Sequence, residues 1–511
     1  MNLLERIRQT SQMYPDRIAM QWREETLTYG ELELYSSRLA AYIEREWKDE
    51  RSAVAVYGHK HPWMLVCFLA LVKSGRGYCP IDISVPQDRV KRILGLLQAG
   101  FYMDVTTEEE PGLRALEDGT AGTGEDGQGQ QILTLSVIRK IAEEETGEID
   151  LACALKGEDI YYMIFTSGST GIPKGVMITR DNLEHYLDWS VTLGGVEKEG
   201  AVFLNQAPFS FDLSVMDLYT CLVSGGTLWA LDKETQQDYK LLYDSLGRSG
   251  VSVFVSTPSF AEVCMSDPVF CEQLMPDLAL FLFCGETLTN QTVKKLRKRF
   301  PKAVIVNTYG PTESTVAVTE VLVDDHMAEE VSPLPVGRPK PGTRIEILDE
   351  AGNLLPDGEK GEIQILGDTV SAGYYRNEEG TARAFYVAER DGRKLRGYHT
   401  GDEGYLKDGM LYYCGRIDLQ IKLHGYRIEI EDIENNIVRV PGVRQAAVVP
   451  NIRKGAVKSL TAYVVADMTD LDVREALHEY LPAYMIPKKI VFMDGLPMTN
   501  NGKVDRKQLG G

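Results

Sequence analysis

No stretch of this chain is apolar for long enough to cross a bilayer. The longest, Trp63 to Val72, is about half the roughly 20 residues a spanning helix needs, so stable membrane insertion is not expected. A secretion signal is also missing: Met1-Asn2-Leu3-Leu4-Glu5-Arg6 passes straight into a charged, helix-like pattern, and the expected address is cytoplasmic. Eight cysteines stand at 67, 79, 153, 221, 264, 271, 284 and 414 without one C-x-x-C pair. That spacing excludes a zinc module and a disulfide framework, and it predicts reduced thiols, mostly in the core. Basic charge is in deficit, 55 Lys+Arg against 75 Asp+Glu, which argues against nucleic acid as a partner. The deficit is uneven. Residues 418–511 carry 13 Lys+Arg against 12 Asp+Glu, so all of the net negative charge lies before them.

What the chain does have is a loop rich in glycine and hydroxyl side chains, Thr166-Ser167-Gly168-Ser169-Thr170-Gly171-Ile172-Pro173-Lys174-Gly175, after the apolar run Tyr161 to Phe165. The run suits a buried strand, and the loop suits phosphate: glycines admit close approach, while hydroxyls, Lys174 and main-chain N–H groups surround anionic oxygens. It is not a Walker A loop, because Pro173 stands where the second glycine would fall.

Helical patterns alternate with short apolar runs over residues 1–105, the signature of a layered α/β domain with parallel strands. Residues 106–131 turn to Glu, Gly, Asp and Gln and predict an exposed insertion. His59 and His61 lack a third ligand nearby and predict a surface loop. Thr179 can cap a helix through Leu183, Tyr186 and Leu187, with its start expected close to the glycine-rich loop. Further buried strands are expected at Val251 to Ser256, Leu280 to Phe283 and Val304 to Val306. The last feeds Asn307-Thr308-Tyr309-Gly310-Pro311-Thr312-Glu313, and loops leaving the carboxyl ends of parallel strands are where open α/β sheets bind ligands. There Asn307 could hydrogen-bond a base, Tyr309 could stack on one, and Glu313 could take a magnesium ion carried by phosphates. From Val336 to Tyr413 shorter strands and frequent turns predict a small β subdomain, and a compact α+β unit follows from 418. Asp212, set among aromatic and small residues, has two readings: a helix cap, or the anionic partner of a bound ammonium group. Lys503, in a Gly/Asn turn, reads by itself as a solvated lysine.

In this order the segments TSGSTGIPKG at 166–175, NTYGPTES at 307–314, TGD at 400–402, GRIDLQIKLHGYRIE at 415–429 and NGKVDR at 501–506 resemble the adenylate-forming superfamily of acyl-CoA synthetases, luciferases and peptide-synthetase adenylation domains. Within it, LNQAPFSFDLSVMDLY at 204–219, STPSF at 256–260 and FCGETL at 283–288 are similar to the ligases that load D-alanine onto a carrier protein. The resemblance implies a large N-terminal domain over 1–417, built of α/β sheets with a small β subdomain, and a mobile α+β domain over 418–511. It implies a two-step reaction in which ATP and Mg2+ convert D-alanine to D-alanyl-AMP, and the acyl group passes to the phosphopantetheine thiol of a D-alanyl carrier protein serving teichoic acid D-alanylation. A monomer is expected.

By the same resemblance Thr166, Ser167, Gly168, Ser169, Thr170 and Lys174 form the phosphate loop, and Asn307, Thr308, Tyr309, Gly310, Pro311 and Thr312 line the adenine and phosphate site. Glu313 holds magnesium, Asp402 grips the ribose, and Tyr413, Cys414, Gly415 and Arg416 contact the nucleotide. Asp212 holds the substrate ammonium, Cys284 and Val316 shape the side-chain pocket, Asp418 is the hinge, and Lys503 is the catalytic lysine, touching ATP and substrate alike. His399 departs from the pattern, since relatives often carry arginine before TGD. A ligase for another small amino acid in peptide synthesis and a non-catalytic nucleotide-binding sensor are the rival readings.

Overall fold

The computed structural model describes residues 2–48, 50–106, 131–168, 173–417, 420–423, 425–453, 456–497, 504 and 506–509. Most of the predicted insertion, together with Ser169, Thr170, Asp418 and Lys503, lies outside these residues.

Among the described residues the strands form five sheets. One of six strands runs in the order Gln131–Thr134, Phe101–Asp104, Val54–Gly58, Tyr78–Asp82, Ile160–Thr166, Lys174–Thr179. Its pairs are parallel up to Ile160–Thr166, which pairs antiparallel with Lys174–Thr179. Val54–Gly58 and Tyr78–Asp82 are buried at every position, as strands covered on both faces must be. Gln131, assigned by composition to the insertion, is instead the first residue of an edge strand.

A second sheet, of nine strands, carries Val202–Asn205, Val253–Ser256, Leu280–Phe283 and Val304–Tyr309 as parallel neighbours. Helix Trp63–Lys73 is buried along its whole length and belongs to the main core. It is the chain's longest apolar run, and each fully buried Leu or Phe in it is worth about 1.5–3 kcal/mol. No helix among the described residues is long and apolar enough to cross a membrane.

The β subdomain is a five-stranded antiparallel sheet. Its strands do not shorten as expected: Arg393–Lys407 runs for 15 residues and pairs with three neighbours, so the glycines and charges within it do not end it. After it come a two-stranded hairpin, Gln420–Leu423 with Tyr426–Glu429, and a three-stranded sheet packed with helices Ile430–Val438 and Asp470–Tyr480 around a core of its own.

Two further expectations need correcting. Thr179 does cap helix Arg180–Ser190, in a reciprocal capping box with Asn182. Yet strand Lys174–Thr179 runs back along its partner and pairs Thr179 with Ile160, which puts the helix start at the opposite end from the loop. His59 and His61 are buried, not on a surface loop. His59 Nδ1 lies 2.6 Å from Asp82 Oδ2 and its Nε2 accepts from the Lys233 N–H, while the His61 ring packs against Trp22.

Candidate active site

The predicted strands end together. Val304–Tyr309 carries Asn307, Thr308 and Tyr309 within the strand itself, so these side chains have sheet-fixed directions and are not on a loop. Gly310 follows because nothing larger fits: a Cβ there would stand 2.6 Å from the Ala317 Cα. The chain then turns through Thr315 and Val316, both with left-handed backbone at φ 59° and 68°. For β-branched residues this is an unfavourable conformation of the kind that collects at functional sites. It brings the Val316 carbonyl within 3.6 Å of the Cys284 thiol, at the end of the neighbouring strand Leu280–Phe283. Burial pushes that thiol's pKa up, which disfavours the thiolate that a nucleophilic cysteine needs.

Asp212 stands at the N-terminal position of helix Leu213–Val223 but makes no capping hydrogen bond. Its carboxylate turns inward and accepts from Thr312 Oγ1 at 2.7 Å. Burial raises its pKa, against the pull of Thr312 and of the Lys422 charge. The cap reading is therefore excluded, and a buried carboxylate remains that a cation would stabilise.

Asp402 is buried with both oxygens in use: Tyr309 OH donates to Oδ2 at 2.6 Å and Arg416 Nη1 to Oδ1 at 2.8 Å. A carboxylate offers about four acceptor directions, so two hydroxyls can still bind there. Tyr413 lies beside Tyr309, ring centres 5.9 Å apart. Asn307 gives its amide N–H to the Pro335 carbonyl, and its Oδ1 is buried without a hydrogen-bond partner, ready for an amino donor. His399, the departure noted above, packs against Tyr386 with ring centres 4.7 Å apart and the rings tilted by 45°.

Glu313 is buried and accepts from Tyr374 OH at 2.8 Å and from the Arg427 guanidinium. Burial opposes its ionisation, but Arg427 and Tyr374 outweigh that and hold its pKa below the usual carboxylate range. Ser167 Oγ donates to the Arg427 carbonyl at 3.0 Å and accepts from the Glu429 N–H at 3.1 Å. Lys174 Nζ stands 4.0 Å from Glu429. The hairpin of the small C-terminal unit thus rests on the predicted phosphate loop and on Glu313. Its turn sits equally close. Gly425 has φ 84°, donates its N–H to Glu286 at 2.8 Å, and would place a Cβ 2.5 Å from Thr257. Under the hairpin a cavity of about 70 Å3 remains, lined by Ser167, Thr312, Phe211, Tyr426 and Arg427.

Asp212, Cys284 and Asp402 therefore each contact the 307–316 segment, Arg416 joins Asp402, and Ser167 is linked to Glu313 of the same segment through Arg427. Gly168 is buried beside Ser167. Cys414 is only partly buried on its strand. The sequence reading missed Tyr374 and Arg427. Arg427 lies inside a quoted motif and could have been weighed, but Tyr374 has no local signal and reaches Glu313 only through packing of the β subdomain.

Comparison with known proteins accords with this geometry. The family model "AMP-binding enzyme" matches residues 7–375, and "AMP-binding enzyme C-terminal domain" matches residues 432–503. The chain belongs to the AMP-binding enzyme family. Among the relatives of this AMP-binding enzyme are D-alanine--D-alanyl carrier protein ligases. That of Bacillus licheniformis is 45% identical over all of this chain and 99% of its own length, and that of Bacillus cereus is 44% identical with the same coverage. An adenylation–PCP protein of nonribosomal peptide synthesis, solved with a vinylsulfonamide inhibitor, superposes with TM-score 0.82 at 25% identity, over 99% of this chain and 84% of that one. The Vibrio cholerae adenylation domain AlmE shares the fold, with TM-score 0.83 at 22% identity over 99% of this chain and 97% of that one.

Proposed function

We infer that this AMP-binding enzyme is an adenylate-forming ligase that activates D-alanine with ATP and transfers it to the phosphopantetheine thiol of a carrier protein. A carboxylate is a poor acyl donor because its leaving group is oxide. Attack of the D-alanine carboxylate on the α-phosphorus expels pyrophosphate and leaves an acyl-AMP. The thiol then attacks the acyl carbon and AMP departs. No covalent enzyme nucleophile is required, in keeping with the buried Cys284.

The observation that carries this reading is Asp212: a buried carboxylate that caps nothing and faces Thr312, near the wall made by Cys284 and Val316. It supports a short substrate with an ammonium group. The relatives' names supply the D-alanine and the carrier. Asn307, Tyr309 and Asp402 suit the nucleoside, and Ser167 and Lys174 the phosphates.

The residues present fit Mg2+. Glu313 stays ionised while buried, and among the described residues no cluster of three or more potential ligands offers an all-protein cage. One carboxylate plus phosphate oxygens is the usual magnesium arrangement. When bound, the ion would supply charge neutralisation at the phosphates. Lys503 is assigned the same task for the charge that develops on the α-phosphate.

The test is ATP–pyrophosphate exchange with D-alanine, L-alanine and glycine, followed by transfer to a phosphopantetheinylated carrier. D-alanine should exchange fastest, and Cys284→Ala should erode its lead by enlarging the pocket. Equal exchange with L-alanine in the wild type would overturn the D-alanine assignment.

A further inference from the structure

Lys60 is fully buried in the short connection between strand Val54–Gly58 and helix Trp63–Lys73. An unpaired ammonium in an apolar interior is expensive, so its partners show what keeps it there. Nζ donates to Asn205 Oδ1 at 2.5 Å and to the Ala207 carbonyl, with the Asn205 carbonyl at 3.4 Å. It also lies 5.0 Å from the centre of the Phe209 ring. Asn205 passes the connection on: its Nδ2 donates to Asp217 Oδ1 at 2.8 Å, and Asp217 Oδ2 has no hydrogen-bond partner.

The topology gives these bonds a purpose. Lys60 follows the carboxyl end of a strand in the six-stranded sheet, and Asn205 ends a strand of the nine-stranded sheet. The segment 206–212 leaves that second strand end, lines the crevice with Pro208, Ser210 and Phe211, and delivers Asp212. Asp217 lies on the helix that Asp212 opens. One ammonium thus holds the start of the segment directly and its far end through Asn205 and Asp217.

We propose that Lys60 is a positioning residue for amino-acid binding, tying the two sheets together at the crevice so that the 206–212 segment presents Asp212 to the substrate ammonium. It is not a catalytic residue, since it is fully buried and its ammonium is taken by Asn205 and the Ala207 carbonyl. Lys60→Met keeps a side chain of similar length and removes the donor that reaches Asn205 and Ala207. The inference rests on Asp212 as the ammonium site.

The test uses the full chain, with Lys60→Met and the double variant Lys60→Met with Asp217→Asn, which leaves no uncompensated buried carboxylate. Exchange kinetics give separate KM values for D-alanine and ATP, and thermal unfolding reports stability. A displaced anchor typically weakens function by about tenfold to a hundredfold. The D-alanine KM should rise by about tenfold or more in both variants while the ATP KM stays within about twofold. The double variant should recover much of the unfolding midpoint lost by the single one without recovering the D-alanine KM. A wild-type D-alanine KM in the folded double variant overturns the proposal, as does a parallel rise in both KM values. If Lys60→Met does not fold, the double variant decides. The wild type reports separately on the substrate: exchange with another amino acid but not with D-alanine sinks that assignment, and the Lys60 comparison is then made with the amino acid that works.

Discussion

Asp212 and Lys60 are both buried charges, and each is legible only through its surroundings. At Asp212 the predicted competitor was a helix cap, and the structure excludes it because the carboxylate points at Thr312. Asp212→Asn keeps the shape and removes the charge. It should raise the D-alanine KM by about a hundredfold, the scale expected when a charged pair loses one partner, with the ATP KM unchanged; steady-state exchange measures both. Lys60 gives a pH prediction. Burial lowers its pKa from 10.5 to about 8, against the opposing charges of Asp217, Asp82 and Asp232. Between these values the unfolded chain holds a proton that the folded chain has released, so this group makes stability rise with pH across that window. Lys60→Met should lack that rise, so denaturant unfolding of both proteins from pH 8 to pH 10 should show their stability difference shifting in favour of the wild type. A constant difference would show that Lys60 does not titrate there.

The hairpin Gln420–Leu423 and Tyr426–Glu429 is the element that joins the small unit to the crevice. Arg427 satisfies Glu313, and Ser167 pins the same strand through two backbone hydrogen bonds. The guanidinium and the Tyr374 hydroxyl already bind the carboxylate assigned to magnesium, so this seating of the hairpin competes with a metal ion for Glu313. Arg427→Ala should therefore slow transfer to the carrier by about tenfold or more while leaving D-alanyl-AMP formation close to wild type, with the two half-reactions assayed separately. Equal losses in both would show that the contact is structural. Gly425→Ala tests the same seating from its turn, since a Cβ at φ 84° would meet Thr257. It too should impair transfer first. From sequence the hairpin was visible as a motif, but its contact with Glu313 joins residues 114 positions apart, a separation that no local pattern encodes.

Across the whole molecule, a cavity of about 70 Å3 under the hairpin is well below the roughly 300–1,000 Å3 of ordinary ligand pockets. The proposed reaction needs room for ATP in its first step and access for a thiol to the acyl carbon in its second. A swing of the small unit about Asp418, the hinge proposed for it, would meet both needs. Lys503→Ala should reduce D-alanyl-AMP formation by about a hundredfold or more yet still pass D-alanine from supplied D-alanyl-AMP to the carrier. Asp418→Pro should show the reverse pattern. Single-turnover assays of each step would test this, and equal impairment of both steps by Lys503→Ala would remove the case for alternation.

The amino-acid order alone determined the layered α/β architecture, the chief strands and the capped helix after Thr179, because periodicity, caps and glycine-bearing loops are local properties of the chain, whereas most of the candidate residues came from resemblance to a family. It misplaced that helix start, sent His59 and His61 to the surface and shortened Arg393–Lys407, since pairing direction and burial depend on distant partners. Only the tertiary structure decided that Asp212 faces Thr312, that Tyr374 and Arg427 converge on Glu313, and that Lys60 ties two sheets together. The physical reason is common to all three: a buried charge is defined by the groups that hydrogen-bond or pair with it, and here those groups come from remote parts of the chain.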